Sequence, residues 1–370
     1  MSIRFTSFAV PFVIFLVFLP LLSLCSQYAP YTPIAANPIS SGFASFGVAL
    51  KDSTAAVFQN PSLLVLHQQD YLSGGAGFTS QGSDSSAVFP NFAYYNAWQQ
   101  SWGWGIRLRK DFSRSFSRQN LMATHSAKAF FVYSLGDLGF SIDLGPSIVF
   151  RYGTQSSYSG QISLAASYTW KSWIFAFSYM HPGKYRFEGY RGSDILTEVL
   201  PQRLLVGTSY HKDDGLLYLE AARHFWEKTS FGLNGIEERA DFERGLGAEL
   251  SFSGGYEHCF STWLPLRLRG GLEWGGAYDA DGRNLRSLGV GLGASFLFPK
   301  DAKDPDRLGI DFALKDYSVF AKKGGREPET QFSFALNYHF GKIFTIVEAN
   351  ESSNETWNEE LYPQRKKSKE

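Results

Sequence analysis

The chain has 370 residues, and its 35 Lys plus Arg are balanced by 35 Asp plus Glu, so its formal net charge is zero. That balance argues against nucleic acid as a partner, because duplex binding needs a basic surface. Aromatic residues make up 16% of the chain and glycines number 36, a content suited to many strands with aromatic belts. Mean hydropathy is -0.18, which a window average reads as soluble, but alternating strands cancel in such an average.

Residues 1–26 read as a signal peptide. Arg4 supplies the charged start, Phe8 to Leu24 is apolar and interrupted by Pro11 and Pro20, and Ser23-Leu24-Cys25-Ser26 offers a cleavage site. A retained anchor, or lipidation at Cys25 through a loose Leu-Ser-Leu-Cys, are the alternatives. With Cys25 removed, Cys259 is left without a cysteine partner, so no intramolecular disulfide is expected. No other apolar run is long enough for a spanning helix.

Residues 27–70 form a separate segment. Asp52 or Ser53 caps a short helix through Ala55-Ala56-Val57-Phe58. Asn60-Pro61 stops it, since the residue before proline is pushed out of the helical region. A short, nearly uncharged helix ahead of a barrel is expected to fill the lumen as a hatch. A periplasmic linker is the plainer alternative.

Residues 71–340 alternate. In Gln331-Phe332-Ser333-Phe334-Ala335-Leu336-Asn337-Tyr338-His339-Phe340, large apolar residues fill every second place, the period of a strand with one apolar and one polar face. The pattern recurs in about fourteen segments, near 71–79, 87–96, 101–110, 127–134, 138–150, 158–169, 172–180, 202–211, 215–224, 246–256, 265–277, 286–298, 307–318 and 330–340. Expected outward sets include Leu288, Val290, Leu292, Ala294, Phe296 and Phe298, and Leu308, Ile310, Phe312 and Leu314. The opposite face carries Arg107, Arg109, Asp143, Glu220, Glu249, Arg267, Arg269, Glu273, Asp311 and Lys315. A soluble sandwich would bury apolar inner faces instead, so the expectation is an all-β, antiparallel transmembrane barrel with a charge-paired, filled interior. Tight connections at Gly136-Asp137, Trp170-Lys171 and 212–214 alternate with long ones at 111–126, 181–201 and 225–245. Short periplasmic turns and long outer loops alternate in this way. The charged tail 341–370 is then periplasmic and disordered, a possible site for a periplasmic partner; its two Asn-x-Ser/Thr triplets at Asn350 and Asn354 are coincidental there.

The segment Asp52-Ser53-Thr54-Ala55-Ala56-Val57-Phe58-Gln59-Asn60-Pro61-Ser62-Leu63-Leu64 resembles the N-terminal hatch of the long-chain fatty-acid transporter (FadL) family of outer-membrane proteins, with Ser62 in place of the family's usual Ala. Leu264 to Trp274 and Leu308 to Ala313 are similar to its late strands, and the resemblance covers most of residues 41–340. The resemblance implies a bacterial outer-membrane location, assembly by the barrel-assembly machinery, and passive uptake of hydrophobic molecules such as fatty acids. Ligand would be caught among the outer loops and released past the hatch or through a gap in the wall. On that basis Asp52, Ser53, Asn60 and Pro61 belong to the hatch, and Gly145-Pro146 is the candidate wall kink. The loop groove would use Tyr185, Phe187, Tyr190, Ile195, Leu196, Phe225, Trp226, Phe231 and Leu233, with Lys184, Arg186 and Arg191 for a carboxylate head. Loop packing against lipopolysaccharide or solvent explains the same residues without a ligand. A non-transporting barrel acting as a scaffold or shuttle for secreted or surface proteins is the rival reading. The tail departs from the family, since such barrels usually end at the terminal aromatic. No phosphate loop, nucleophile elbow or metal spacing is present; His181, His211 and His224 fit loop and lumen polarity. No cofactor and no enzymatic activity are expected.

Overall fold

The structure, a computed structural model, describes residues 32–33, 37–67, 69–81, 85–99, 101–115, 121–151, 155–181, 183–188, 195–199, 202–212, 214–225, 230–234, 236–238, 249–260, 266–278, 284–299, 307–316 and 329–340. The expected signal peptide with Cys25, and the expected tail, lie outside these residues.

Fifteen strands form one antiparallel sheet. One of them, β1 (Thr32–Pro33), is a two-residue addition to an edge. The other fourteen are β2 (Asp70–Gln81), β3 (Ser85–Gln99), β4 (Trp102–Ser115), β5 (Leu121–Leu135), β6 (Leu138–Arg151), β7 (Gln155–Trp170), β8 (Trp173–His181), β11 (Gln202–Lys212), β12 (Gly215–Phe225), β15 (Glu249–Phe260), β16 (Leu266–Tyr278), β17 (Asn284–Pro299), β18 (Arg307–Asp316) and β19 (Glu329–Phe340). Strand β19 pairs with β2 along its whole length, from Phe340–Asp70 to Glu329–Gln81, and β4 pairs with β5. The sheet therefore closes, and closure is the one way a β-structure satisfies its backbone in hydrocarbon. The expected antiparallel barrel of fourteen strands is what forms.

Alternation sorts the wall as the sequence predicts. In β18, Leu308, Phe312 and Leu314 point out, while Asp311, Ala313 and Lys315 are buried inside. In β5, Lys128, Phe130 and Val132 point in, and Ala127, Ala129 and Phe131 point out. At the tight-turn end, Trp98, Trp102, Trp170, Phe260 and Tyr338 form an exposed aromatic girdle. There Trp102 meets Tyr133 at 4.4 Å and Trp173 meets Tyr210 at 4.7 Å between ring centroids.

Three connections differ from expectation. The stretch 111–126, read as a loop, is largely strand: β4 runs on to Ser115 and β5 begins at Leu121. Past the hydrocarbon the outward face needs no apolar residues, so the ladder continues without the signal that reveals it. The other two long connections contain β9 (Lys184–Glu188), β10 (Ile195–Val199), β13 (Ser230–Leu233) and β14 (Ile236–Glu238), a second four-stranded sheet. The pair Val199–Lys184 falls four residues beyond Arg203–Met180 on each chain, so β9 and β10 carry the β8–β11 register upward.

Leu292, near the middle of β17, is 59% exposed on the outer face. Leu292→Lys is expected to destabilise the barrel in lipid vesicles by about 2–4 kcal/mol, read by urea unfolding. A soluble sandwich would tolerate it within about 0.5 kcal/mol.

Candidate functional site in the barrel lumen

Residues 37–66 lie inside the barrel. They comprise α1 (Pro38–Gly42), α2 (Ser53–Gln59) and a 3-10 turn (Pro61–Leu66). Every residue from Asn37 to Leu50 and from Ser53 to Leu64 is buried. Their apolar side chains pack with the inward Tyr71, Tyr95, Phe130, Leu205 and Tyr218 into one core.

Local chemistry shapes the segment. Asn37 caps α1 through Oδ1, which accepts from Ser40 N at 2.9 Å, and Asp52 caps α2 by accepting from Thr54 N at 2.9 Å. Asn60 ends α2 and starts the next turn: its Oδ1 accepts from Ser62 N at 3.2 Å and from Ser62 Oγ at 2.6 Å, while its Nδ2 donates to Val48 O at 2.8 Å. Pro61 occupies the first position of that turn, where a missing N–H costs nothing. The Asn-Pro pair is thus a staple joining two parts of the segment. Ser53 is buried at the start of α2.

The wall grips this segment at its backbone. Glu220 of β12 accepts from Phe46 N and from Val48 N, each at 2.8 Å, one on each carboxylate oxygen. Gly47 between them has φ +85, a conformation that aims both N–H groups the same way. Tyr218 also donates to Glu220. The C-terminal carbonyls of α2 face two arginines of β4: Arg107 donates to Val57 O at 2.9 Å and pairs with Asp143, and Arg109 donates to Phe58 O. At the other end Arg267 of β16 lies 3.5 Å from Asp52, and Arg269 lies 3.0 Å from Glu257. Both ends of α2 therefore carry the charge its dipole favours. Lys315 and Glu273 pair at 2.7 Å, so the inward charges are matched as expected.

Sequence reasoning missed the shelf on which α1 rests. Gly255, Gly271 and Gly291 are direct cross-strand neighbours on β15, β16 and β17. A Cβ on Gly271 would stand 2.2 Å from Phe43 O, and one on Gly291 would stand 2.5 Å from both Ala44 N and Ser41 O. The glycines let the segment's backbone lie directly on the wall. Their signal exists in the sequence only after the register is known.

Two groups of the segment have displaced pKa values. Burial, helped by the charges of Lys51 and Arg267, pushes the His67 imidazole down to about 4, although its ring bonds to Lys51 O. Burial works against the Asp52 carboxylate, but Arg267 and Arg269 outweigh it and hold the carboxyl below its usual range.

The other predicted residues are dispersed. Tyr185 is buried, and Gln161 donates to its hydroxyl at 3.2 Å. Its neighbours Lys184 and Arg186 point away and are exposed, Arg186 pairing with Glu188 at 3.4 Å. The outer groove expected from Lys184, Tyr185 and Arg186 together is therefore split between two faces of β9. Phe225 ends β12 under Arg223, 4.6 Å from its ring. Phe187 and Phe231 lie in β9 and β13. Tyr190, Arg191 and Trp226 lie outside the described residues.

The wall has two irregular places. Gly145 and Pro146 lie within β6, paired with Gln161 and Gly160 of β7. On the β5 side the described pairs stop at Ala129–Leu144 and resume at Ser126–Ser147. A longer break separates β3 from β4, whose described pairing ends at Phe92–Leu108. Beyond it β4 pairs with β1 instead, Thr32 with Ser113 and Pro33 with Phe112.

Among the described residues no cluster of His, Cys, Asp or Glu could hold a metal ion. No protein-family model and no curated protein matches the sequence. The fold is similar to that of a Pseudomonas aeruginosa FadL homologue, with TM-score 0.61 and 12% identity, over 85% of this chain and 99% of that one. It is also similar to the Ralstonia pickettii toluene transporter TbuX, with TM-score 0.58 and 15% identity, over 83% and 98%. The Pseudomonas putida toluene transporter TodX gives TM-score 0.55 and 14% identity, over 86% and 98%. At such identities the likeness is one of fold.

Gly271→Val is expected to lift the inner segment off its shelf while the barrel still closes. Hydrogen exchange should rise across residues 38–50 and stay unchanged in β11 and β12. Docking should also weaken in acid. His67 holds a depressed folded value, so its contribution is complete above its ordinary value of 6.5 and declines as pH falls toward about 4. The full loss is about 3 kcal/mol or less. Asp52 adds to the loss only below its ordinary value of 3.8. Protease accessibility of residues 41–66 between pH 7 and pH 4 measures this, and His67→Gln should remove the upper part of the transition.

Proposed function

We propose that the protein is a bacterial outer-membrane channel for hydrophobic small molecules, with residues 37–66 acting as a hatch. The observation that supports this most directly is how the lumen is filled. The inner segment is held by hydrogen bonds and ion pairs from β4, β12 and β16, with no covalent tie to the wall beyond the chain itself. These polar contacts can be exchanged for water one at a time, beside the apolar packing of the segment against Tyr71, Phe130 and Tyr218. The solved barrels of similar fold include two toluene transporters, which favours a small apolar cargo. Asp52, Ser53, Asn60 and Pro61 are then hatch residues, and the ion pair of Asp52 with Arg267 is one latch.

The β3–β4 break offers the cargo a sideways exit into the membrane. The stretch 85–91 of β3 pairs with β2 on one side, and β4 above Leu108 is covered by the chain's own β1. Long-chain fatty acids and monoaromatics are both compatible cargo, and uptake distinguishes them.

Cells carrying the protein should take up labelled long-chain fatty acid or toluene severalfold faster than cells lacking it. Deleting residues 41–64 should change that rate. Oxidising a Thr32→Cys, Ser113→Cys pair should slow uptake, and reductant should restore it. A correctly assembled barrel that moves neither cargo rejects the channel reading. Uptake indifferent to the deletion rejects the hatch.

A further inference from the structure

The wall groups that grip the inner segment are not equivalent. Arg107 donates to Val57 O but also pairs with Asp143 of the wall, and Arg267 lies 3.5 Å from Asp52 but also 4.0 Å from Glu257. Glu220 differs. Its two oxygens accept from Phe46 N and Val48 N, and its one wall partner is the Tyr218 hydroxyl. Among the described residues it forms no ion pair with a cation. Arg203 of β11 stacks over the Phe46 ring, 5.0 Å from its centroid, and does not pair with Glu220. Glu220 is 5% exposed, and a carboxylate so buried needs compensation for its lost hydration. Here the segment's own peptide N–H groups give it, through charge-assisted bonds roughly twice as strong as neutral ones.

The surroundings fit one loop. Gly207 of β11 is the cross-strand neighbour of Glu220, and a Cβ there would stand 2.6 Å from Val48 Cγ1. Two residues along, Ser209 donates to Ala49 O at 2.8 Å. On the other side Glu220 faces Ser253 of β15, and Ser253 faces Glu273 of β16, which pairs with Lys315 at 2.7 Å. Gly47, at φ +85, turns the two flanking N–H groups onto one anion, as backbone anion sites do. When the segment leaves, Arg107 and Arg267 each keep a wall acid. Glu220 keeps a single hydroxyl.

We propose that Glu220 is the positioning residue that holds the segment closed, and that the loop Phe46–Val48 is a carboxylate-binding site whose occupant in the closed state is the wall's own side chain. The inference rests on reading residues 37–66 as a hatch, and it names the contact that sets the closed position. Cutting Glu220 back to alanine removes the atoms of an acetate ion and leaves two convergent N–H groups. Acetate has the charge and the two oxygens to replace what was lost. Acetamide has nearly the same shape, no charge and one acceptor.

Hydrogen exchange is followed in nanodiscs for the wild type and for Glu220→Ala, with acetate, acetamide or chloride at equal concentration. Glu220→Ala should raise exchange across residues 44–50 about tenfold and leave β11 and β12 unchanged. Acetate should restore most of the protection, and acetamide and chloride should not. Ser209→Ala, which removes a neutral bond to the same stretch, should raise exchange less. Glu220→Gln keeps the volume but sets a donor against one N–H, so it should also raise exchange, and acetate should not rescue it because the space is filled. Heat-modifiable gel mobility shows that each variant has folded; should Glu220→Ala not assemble, Glu220→Gln carries the test. Exchange unchanged in the Glu220 variants, or raised equally by Ser209→Ala, overturns the role of Glu220. Rescue by acetamide as strong as by acetate, or rescue by neither, overturns the carboxylate site. In cells Glu220→Ala should raise uptake of labelled fatty acid or toluene severalfold. Uptake unchanged beside altered exchange rejects the hatch as the gate and leaves the seat standing. Uptake by neither form rejects the channel reading alone.

Discussion

A closed sheet of fourteen strands pairs each strand with two neighbours but encloses more space than its own side chains fill, because barrel diameter grows with strand number. The rest of this structure answers that constraint. Filling the space with chain brings backbone N–H and C=O groups into a dry interior, and each must be matched. The wall supplies the matches with charged side chains: Glu220 for Phe46 and Val48, Arg107 and Arg109 for the carbonyls ending α2. An interior that looks over-charged for a buried core is in this light the complement of a peptide segment. The glycine row at Gly255, Gly271 and Gly291 is the steric half of the same fit.

The charges also orient the segment. Strands β4 and β16 stand on nearly opposite sides of the ring. Helix α2 reaches between them, with Asp52 toward Arg267 and its carbonyl end toward Arg107 and Arg109. Reversing it would set the positive end of its dipole against Arg107 and Arg109 and take Asp52 away from Arg267. The paired ions contribute less to net stability than their number suggests, since desolvation offsets much of their attraction. Their effect is on register: one position of the segment satisfies them all.

The barrel was legible because its strands alternate between an apolar outer face and a polar inner face, and β16 to β19 show it with few breaks. The helix at Ser53–Gln59 was legible too, since a capping Asp and a closing Asn-Pro are local signals. What was hidden depends on register or on water. The ends of the long strands, such as Lys110 to Ser115, lack the apolar face that betrays a strand. The shelf glycines are unremarkable until pairing places them side by side. Tyr185 looked like a loop aromatic and is buried, because the alternation slips between His181 and Lys184. Lys184 and Arg186 kept the exposed setting their charge demands.

Both irregular places in the wall have a proline beside them, and the second also has a competing strand. At Gly145-Pro146 the sequence itself breaks the ladder, since proline brings no N–H and glycine invites a close approach. The flanking register is unchanged on both sides, and the β5 backbone lies close against Gly145, where a Cβ would meet Ala127 O at 2.1 Å. Between β3 and β4 the last described pair is Phe92–Leu108, and Pro90 of β3 stands two residues beyond it. There β1 also takes the edge of β4 that β3 would otherwise use. A break made by a residue persists while the chain is folded. A break made by a competing strand depends on where that strand lies, and β1 is joined through residues 34–36 to the segment in the lumen. The β3–β4 seam is therefore tied through the chain itself to the buried segment.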